Sequence, residues 1–427
     1  MKTITIVGLG YVGLPLACLC AERGYKVYGL DVDREKINAV NNGESPIDDE
    51  SLWHKLKALK GKIIATSKAD ECVPKSDVVI VCVPTPIDTK HLPDLSALKG
   101  ASSTVAQSIR RGSLFIIEST IYPGTVEEVV VPLLEKKGHN PQKNDIYVAH
   151  CPERIDPGNR KWTIEILPRV VGAITKEATT KAAEFYRSIL RADVMELTTI
   201  KAAEATKIME NTFRDINIAF INEMAMSFDK AGIDIIEVIK GASTKPFAFM
   251  PHYPGAGVGG HCIPVDPYYL IEKAKQIGFE HKFLSLAREI NNNMPHYTVQ
   301  LLESELKALG KTLHGENIGV LGLAYKADVD DVRESPTFEI LHLLRAKGAN
   351  AIVFDPHAKT ENIVENIDSL LEQSDSIILV TDHREFKAIS ADMFKKHNIK
   401  IIIDGRNCFD KEAIKRMGIR YHGIGRS

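Results

Sequence analysis

Four glycines and a cysteine form the segment of this sequence with the clearest chemical potential. The glycines lie within positions 255–260, and Cys262 follows them after His261. Glycine lets a backbone approach a ligand closely, and a cysteine thiolate adds to an aldehyde when positive charge or a helix N-terminus stabilises it. Asp266 would lie one turn further on if a helix starts there, placed to order a water or accept a proton. The segment predicts a covalent nucleophile, with a buried structural cysteine as the alternative.

His261 is the residue of this segment that could ligate a metal. No partner ligands accompany it at the spacing that zinc sites use. We therefore expect no metal at this site.

Lys207, Asn211 and Arg214 supply polar groups that a cysteine nucleophile could use. They stand at i, i+4 and i+7 of a segment predicted to be helical, so they share one face. A lysine and an asparagine on that face can stabilise the oxyanion that forms when a thiolate adds to a carbonyl. A solvated helix face explains these residues equally well in isolation, and only their combination with the glycine–cysteine segment favours function.

The segment Gly8-Leu9-Gly10-Tyr11-Val12-Gly13 follows a predicted strand and opens a predicted helix. In a dinucleotide-binding turn the first glycine permits the turn, the second lets the backbone approach the pyrophosphate, and the third allows close helix packing. Asp31 ends the second predicted strand, where a carboxylate binds the adenosine ribose and repels a 2′-phosphate. These residues predict NAD rather than NADP. Arg34 and Lys36 weaken this preference, because a basic residue can bind the 2′-phosphate of NADP.

Two further strand ends are expected to line the same crevice. Val83-Pro84-Thr85-Pro86 ends one predicted strand and Glu118-Ser119-Thr120 ends another. Ligands of doubly wound folds bind beyond the carboxyl ends of the strands. Ordinary strand-to-loop turns are the alternative.

The elements that position these residues indicate an α/β fold with two Rossmann-like, doubly wound domains joined by a long central helix and helical domain. Continuous apolar runs such as Thr3–Val7 and Asp77–Val83 are typical of parallel strands buried on both faces. Residues 199–231 contain neither Gly nor Pro, which predicts a helix roughly 45 Å long. We expect an NAD-binding domain at 1–197, a helical dimerisation domain at 198–305 and a second Rossmann-like domain at 306–427. The long helix predicts a homodimer.

Composition narrows the class of protein. The chain has 427 residues, 44% hydrophobic and 26% charged, with a net charge of -2. This balance is typical of a globular protein that binds neither nucleic acid nor an anionic membrane. No apolar run is long enough to span a bilayer, and no signal-peptide pattern opens the sequence. Seven scattered cysteines predict no disulfide framework and fit a reducing cytoplasm.

Taken together, these motifs resemble the UDP-glucose/GDP-mannose dehydrogenase family, and within it the UDP-N-acetylglucosamine and UDP-N-acetylmannosamine 6-dehydrogenases. The resemblance covers essentially the whole chain, in matching order. Besides the segments above, it is carried by Cys151-Pro152-Glu153-Arg154, Gly322-Leu323-Ala324-Tyr325-Lys326, Arg333-Glu334-Ser335 and Asp404-Gly405-Arg406.

The resemblance implies two successive hydride transfers from the 6-hydroxyl of a UDP-sugar, without release of the aldehyde. Cys262 would trap the aldehyde as a thiohemiacetal, and a second NAD would then give a thioester that water hydrolyses with Glu153 as a candidate aid. Lys207, Asp266, Thr120 and an ordered water would handle charge and protons, and Arg333 would reach NAD. The substrate contacts implied are Arg154, Ile155, Lys207, Asn211, Arg214, Tyr253, Gly257, Gly259, Tyr325, Lys326 and Arg406.

One departure concerns the choice of sugar. Enzymes acting on UDP-glucose resemble Pro-Glu-Phe with a second Glu four places after the first, whereas this chain has Arg154 for Phe and Pro157 for that Glu. Arg154 would hydrogen-bond an acetamido carbonyl, which favours a UDP-N-acetylhexosamine. Thr244-Lys245-Pro246-Phe247 resembles the N-acetylglucosamine branch, so UDP-GlcNAc is favoured over UDP-ManNAc.

Three alternatives stay open. They are a UDP-glucose 6-dehydrogenase, a single-step hydroxyacid or sugar-phosphate dehydrogenase, and a catalytically idle, nucleotide-sensing binding protein. A single-step enzyme would need neither the cysteine nor a third domain, and intact Lys207, Cys262 and Asp266 argue against the binding protein.

Overall fold

A computed structural model describes residues 2–47, 49–88, 91–155, 161–358 and 364–427. The chain divides into two compact units. The first unit comprises Met1–Glu210 and Tyr268–Gly278, and the second comprises Asn211–Pro267 and Phe279–Ser427. Among the described helices, none combines the length and the apolar character that a membrane crossing requires.

The first unit alternates strands and helices. Its strands are β1 Thr3–Val7, β2 Lys26–Leu30, β3 Ile63–Thr66, β4 Val78–Val81, β5 Leu114–Ile117, β6 Tyr147–His150, β7 Arg169–Ala173 and β8 Val194–Glu196. Its helices are α1 Gly13–Glu22, α2 Arg34–Asn42, α3 Glu50–Ala58, α4 Ala69–Cys72, α5 Ser96–Ser108, α6 Val131–Glu135 and α7 Lys176–Ile189. Short 3-10 turns cover Val73–Lys75 and Pro141–Lys143, and a π turn covers Val126–Val130.

The strands form one sheet in the order β3-β2-β1-β4-β5-β6-β7-β8. Every pairing in it is parallel except that of β6 with β7. The chain reverses direction beside β1, so the carboxyl ends of β1 and β4 flank the point where doubly wound folds bind ligands. Buried apolar residues fill both faces of this sheet, as the continuous apolar runs predicted.

Two helices contribute to both units. α8 runs unbroken over Ile200–Lys230, and its residues up to Glu210 belong to the first unit. α10 spans Asp266–Gln276, and its residues from Tyr268 onwards belong to the first unit. The helix predicted over residues 199–231 is confirmed to within a residue at each end. It is continuous because no proline interrupts its hydrogen bonds.

The second unit carries a smaller parallel sheet beside helices. Its helices are α9 Ile235–Ala242, α11 Lys282–Ala308, α12 Pro336–Ala346, α13 Ile367–Glu372, α14 Arg384–Lys387, α15 Ala391–Lys396 and α16 Lys411–Arg416. Its strands, β9 Asn317–Leu321, β10 Asn350–Phe354, β11 Ser376–Leu379, β12 Ile401–Asp404 and β13 Arg420–Gly423, lie in the order β10-β9-β11-β12-β13. Two Rossmann-like domains are thus confirmed, while the exact domain limits 197/198 and 305/306 stay predictions.

Candidate active site

The glycine turn after β1 meets the requirements of a dinucleotide. Gly8 has φ +96°, and a Cβ there would lie 2.6 Å from the Cys82 carbonyl oxygen. A Cβ on Gly13 would lie 1.9 Å from the Gly8 carbonyl oxygen, so both positions exclude a side chain. A Cβ on Gly10 would meet nothing within 4 Å. Gly10 therefore leaves open backbone beside the N-terminus of α1, as a pyrophosphate needs.

Asp31 is fixed to this turn. Its Oδ2 accepts the Leu9 N–H at 2.7 Å and its Oδ1 accepts the Asp33 N–H at 2.9 Å. A carboxylate has about four lone-pair sites, so capacity remains for ribose hydroxyls. Val32 next to it is 95% exposed and Tyr11 is half exposed, which leaves apolar surface beside the carboxylate. Val12 and Lys36 are half-buried, and the roles assigned to them stay predictions.

The ends of β4 and β5 are hydrogen-bonded to each other, while their predicted contact with the cofactor stays a prediction. Ser119 Oγ donates to the Val83 carbonyl at 2.8 Å and accepts the Val83 N–H at 3.0 Å. Thr85, which follows Pro84, donates its hydroxyl to the Thr120 carbonyl at 2.6 Å. The loops carrying Thr85 and Thr120 are thereby tied together beside the glycine turn.

A buried charged cluster behind these loops was missed from the sequence. Arg169 of β7 is fully buried and forms an ion pair with Glu153, while its guanidinium lies 3.8 Å from Glu118. Tyr186 donates its hydroxyl to Glu118. Burial raises the pKa of Glu118 to about 7, against the opposing charge of Arg169. Arg169 stands in an apolar strand with no motif around it, so nothing in the sequence marked it as a partner.

Glu153 and Arg154 are held firmly within the first unit. Glu153 Oε1 accepts the N–H groups of Arg154 at 2.6 Å and of Ile155 at 2.7 Å. The Arg154 guanidinium pairs with Glu210 at 2.6 Å and donates to the Pro168 carbonyl. Glu153 thus orients the backbone that carries Arg154. Pro157, the other half of the predicted departure, lies outside the described residues.

Two residues of α8 reach the same region of the first unit. Glu204 accepts the Gly124 N–H at 2.5 Å and the Val126 N–H at 2.8 Å, and burial raises its pKa to about 7. Lys207 is half-buried. Burial, and next the ammonium of Lys207, lower the pKa of His150 to about 3, which places Lys207 near the end of β6. The catalytic role assigned to Lys207 stays a prediction.

In the second unit the glycines before Cys262 are required by protein packed against them. A Cβ on Gly257, whose φ is +146°, would lie 2.6 Å from Pro336 Cβ. A Cβ on Gly259 would lie 2.6 Å from Tyr325 Cβ, and one on Gly260 would lie 2.8 Å from the Tyr325 ring. These glycines were predicted to let the backbone approach a ligand, whereas the described contacts are with the chain itself.

Cys262 lies half-buried at the end of this segment, just before α10. Its carbonyl accepts the N–H of Asp266 at 2.9 Å, and Asp266 is the first residue of α10, as predicted. Asn211 donates to Asp266 Oδ2 at 2.6 Å. A thiolate at a helix N-terminus is favoured by the helix dipole. The structure thus places Asn211 of α8 next to Asp266, which lies four residues after Cys262.

Residues 325–333 form a turn that packs on the glycine segment, and we call it the 325–333 turn. Its ends are joined by a hydrogen bond from the Tyr325 N–H to the Asp331 carbonyl at 3.0 Å. The Gly260 N–H donates to the Arg333 carbonyl at 3.0 Å, and the Arg333 side chain pairs with Asp331. This turn carries half-buried Lys326 as well, so two predicted substrate residues and Arg333 share it.

The other predicted substrate residues of this unit differ in exposure. Arg406 donates its Nε–H to the Val380 carbonyl at 2.8 Å, and burial lowers its pKa. A Cβ on Gly255 would lie 2.8 Å from the Arg406 guanidinium, so Arg406 adjoins the start of the glycine segment. Arg214 and Tyr253 are exposed.

Four side chains of metal-ligating type come together in the second unit, those of Asp328, His357, His383 and Glu385, with ligand atoms within 4.8 Å of one another. Both ring nitrogens of His383 are hydrogen-bonded, to Asp355 and to the Asp328 N–H. Asp328 pairs with Arg384 at 3.0 Å. Ordinary ion pairs and hydrogen bonds thus account for this cluster.

Three models of one protein family match the chain in succession. Their descriptions are UDP-glucose/GDP-mannose dehydrogenase family, NAD binding domain, over residues 2–190; central domain, over 201–293; and UDP binding domain, over 319–411. The predicted family and the NAD cofactor are thereby confirmed.

Individual relatives extend over nearly the whole length. The chain is 38% identical over 426 residues to the UDP-N-acetyl-D-mannosamine dehydrogenase of Pyrococcus horikoshii, covering 99% of each. It is 37% identical over 405 residues to the UDP-N-acetyl-D-glucosamine 6-dehydrogenase of Pseudomonas aeruginosa, covering 92% of this chain and 93% of the other. A solved structure of the Pyrococcus horikoshii UDP-D-ManNAc dehydrogenase matches with a TM-score of 0.93 at 37% identity, covering 100% and 99%.

Proposed function

Because the chain belongs to the UDP-glucose/GDP-mannose dehydrogenase family, we propose that it oxidises the 6-hydroxyl of a UDP-sugar to a carboxylate with NAD, through a covalent bond to Cys262. The observation that carries this proposal is the position of Cys262. It lies half-buried, directly before a helix that starts with Asp266, and Asp266 is hydrogen-bonded to Asn211. A structural cysteine would need neither group.

The proposed reaction has three stages, and bound NAD accepts one hydride in each of the first two. Lys207, Asp266 and Thr120, with an ordered water, handle the charge and the hydroxyl proton as the alcohol becomes an aldehyde, with the carboxylate of Asp266 or the water as the proton acceptor. Cys262 Sγ then adds to the aldehyde carbon, and Lys207 and Asn211 stabilise the oxyanion. The tethered carbon keeps its geometry for the second oxidation, which a free aldehyde would lose by diffusion.

Hydrolysis of the resulting thioester returns the thiol and releases the carboxylate. Water adds to the thioester carbon, the carbon–sulfur bond breaks, and a proton is lost. Glu153 is our candidate for ordering this water, since two backbone N–H groups and Arg169 fix its carboxylate. Overall, one alcohol, two NAD⁺ and one water give one carboxylate, two NADH and three protons.

For the sugar we propose a UDP-N-acetylhexosamine. Support comes from Arg154, whose guanidinium is oriented by Glu210 and the Pro168 carbonyl and so is prepared to donate to an acetamido carbonyl. UDP-GlcNAc stays the predicted epimer because of Thr244–Phe247. UDP-ManNAc is its direct rival, because relatives named for each epimer are 38% and 37% identical to this chain.

A panel of UDP-GlcNAc, UDP-ManNAc and UDP-glucose tests both levels of the proposal. We expect two NADH per sugar consumed and turnover of an N-acetylhexosamine. One NADH per substrate would favour a two-electron hydroxyacid or sugar-phosphate dehydrogenase, and no NAD reduction would favour a nucleotide-sensing binding protein. Preference for UDP-glucose would contradict the role of Arg154.

The covalent step is tested by Cys262→Ser, with Cys408→Ser as the matched control because Cys408 is another half-buried cysteine of the second unit. We expect Cys262→Ser to stall after the first oxidation or at an unhydrolysed ester, and Cys408→Ser to form carboxylate normally. Undiminished steady-state carboxylate formation by Cys262→Ser would remove the mechanism.

We also propose a homodimer built on α8. Met209, Phe213 and Phe220 are 67%, 49% and 53% exposed, and their spacing places them within about 40° of one another on the helix. Lys207 and Asn211 lie on the opposite side, so this apolar stripe is separate from the catalytic face. Sedimentation of Phe220→Glu should show monomers where the wild type shows dimers, and a monomeric wild type at micromolar concentration would refute the assembly. The seven cysteines, scattered along the sequence, fit the cytoplasm that we propose for the protein.

A further inference from the structure

Asp355, at the carboxyl end of β10, is a buried hydrogen-bond acceptor at the centre of the second sheet's glycine turn. It is 1% exposed. Its two oxygens accept four backbone N–H groups at 2.7–2.8 Å, those of Leu323, Ala324, His357 and Ala358. Although burial raises the pKa of Asp355, His383 and these N–H groups hold it well below the usual range, so Asp355 is a carboxylate.

The hydrogen bonds of His383 define its tautomer. His383 is fully buried, its Nε2 lies 3.0 Å from Asp355 Oδ2, and its Nδ1 lies 2.9 Å from the Asp328 backbone nitrogen. A backbone N–H can only donate, so Nδ1 is the acceptor and the ring proton is on Nε2, donated to Asp355. The ring therefore connects Asp355 to Asp328 in one orientation.

Asp328 needs such an anchor. Its φ of +59° lies in the left-handed region, which residues with a side chain adopt at a cost. Beyond the bond to His383, Asp328 Oδ1 accepts the Arg384 N–H at 3.1 Å. Thr381, two residues before His383, donates its hydroxyl to the Ala324 carbonyl at 2.5 Å. The loop after β11 thus holds the strained residue and the start of the 325–333 turn.

The same turn supports the segment that ends in Cys262. The Tyr325 side chain occupies the space where side chains at Gly259 and Gly260 would be, with its Cβ at Gly259 and its ring at Gly260, and the Arg333 carbonyl accepts the Gly260 N–H. A shift of Asp328 would move the surface on which those glycines pack.

We propose that His383 is a positioning residue: as a neutral ring between Asp355 and the Asp328 N–H, it fixes the 325–333 turn and, through that turn, the segment that carries Cys262. The inference deepens the proposed function and rests on it for its catalytic readout. His383 is buried and contacts no reacting atom, but it affects the Michaelis constant for the sugar nucleotide through the position of the turn.

Two variants separate the two hydrogen bonds of the ring. His383→Asn retains a polar atom near the position of Nδ1, where it can accept the Asp328 N–H. His383→Gln reaches the position of Nε2 and can donate to Asp355, but leaves the Asp328 N–H without its acceptor. His397→Gln is the matched control, since His397 is a buried histidine side chain of the same unit that pairs instead with Asp368.

We expect His383→Gln to raise KM for the UDP-sugar about tenfold, as the loss of one buried hydrogen bond can do, with KM for NAD nearly unchanged. It should also slow alkylation of Cys262 by iodoacetamide, followed by peptide mass mapping. His383→Asn should recover most of both properties, and His397→Gln should change only thermal stability.

Equal behaviour of the Asn and Gln variants, or equal losses for sugar nucleotide and NAD that follow the melting temperature, would overturn the positioning role. The alkylation measurement needs no turnover. If the wild type oxidised no UDP-sugar, the proposed function would fail while an altered Cys262 reactivity in His383→Gln still supported the positioning role.

Discussion

His422 should make the second unit lose stability as pH rises. The imidazole of His422 on β13 lies between two carboxylates: Nδ1 is 3.0 Å from Glu305 of α11, and Nε2 is 3.0 Å from Asp229 of α8. Arg420 pairs with Glu305 at 2.6 Å, and Tyr297 donates to Asp229 at 3.1 Å. Burial opposes the charged ring, but hydrogen bonds to both carboxylates raise its pKa to about 9. The charged imidazole therefore ties two helices to the edge strand of the sheet.

The size and sign of the effect follow from linkage. A pKa of about 9 in the folded protein, against 6.5 when unfolded, corresponds to about 3 kcal/mol of stabilisation. Because the folded pKa is the higher one, this contribution is complete below pH 6.5. It is lost as pH rises towards and through 9, and well above pH 9 the ring is neutral in both states.

Hydrogen exchange resolved by peptides measures this locally, with His422→Gln compared with the wild type at each pH so that intrinsic exchange rates cancel. The informative peptides contain Asp229, Glu305 and β13. We expect the wild type's excess protection over the variant to shrink by about 100-fold between pH 6.5 and pH 9, the equivalent of about 3 kcal/mol. A gap in protection that stays constant over this range would show that the ring's charge does not hold these elements together.

Two further predictions concern the first unit. Gly10→Ala should fold normally yet bind NAD more weakly, because its Cβ meets only open space in the protein, whereas Gly13→Ala should lower thermal stability because its Cβ would meet the Gly8 carbonyl. Fluorescence titration with NADH measures the binding, and melting curves measure the stability. Equal behaviour of the two variants would contradict the assignment of Gly10 to the pyrophosphate and of Gly13 to packing. Arg169→Leu should destabilise the first unit by about 3–5 kcal/mol because it leaves Glu118 and Glu153 buried without their cation. Denaturant unfolding followed by tryptophan fluorescence measures this loss, and an unchanged or increased free energy of unfolding would contradict it.

Local patterns in the sequence were sufficient to predict the strands that carry motifs and the helix that joins the domains. β1 and β4 follow the predicted apolar runs, and α8 ends within a residue of its predicted limits. Such elements are set by residues adjacent in the chain. The antiparallel pairing of β6 with β7 was not predicted, because it depends on where the chain returns in space rather than on a local period.

The same distinction separates site residues found from site residues missed. Asn211 and Asp266 were each visible, one by helical spacing and one by its distance from Cys262, and the structure joins them. Arg169 and His383 carry no local signal. Their partners lie 16 to 55 residues away in the sequence, and only the fold brings them into contact.

Glycines show why a residue type alone does not identify a ligand-facing surface. The sequence shows directly which residues lack a Cβ. It does not show whether protein or a ligand fills the space where that Cβ would be. At Gly259 that space is occupied by Tyr325, and at Gly13 by a carbonyl of the same turn, so in both cases glycine permits protein packing. At Gly10 no protein atom lies within 4 Å of the missing Cβ. Within the glycine turn after β1, a position that packing does not require to be glycine is the stronger indication of a ligand, so Gly10 is better evidence for the pyrophosphate than the glycines before Cys262 are for the sugar.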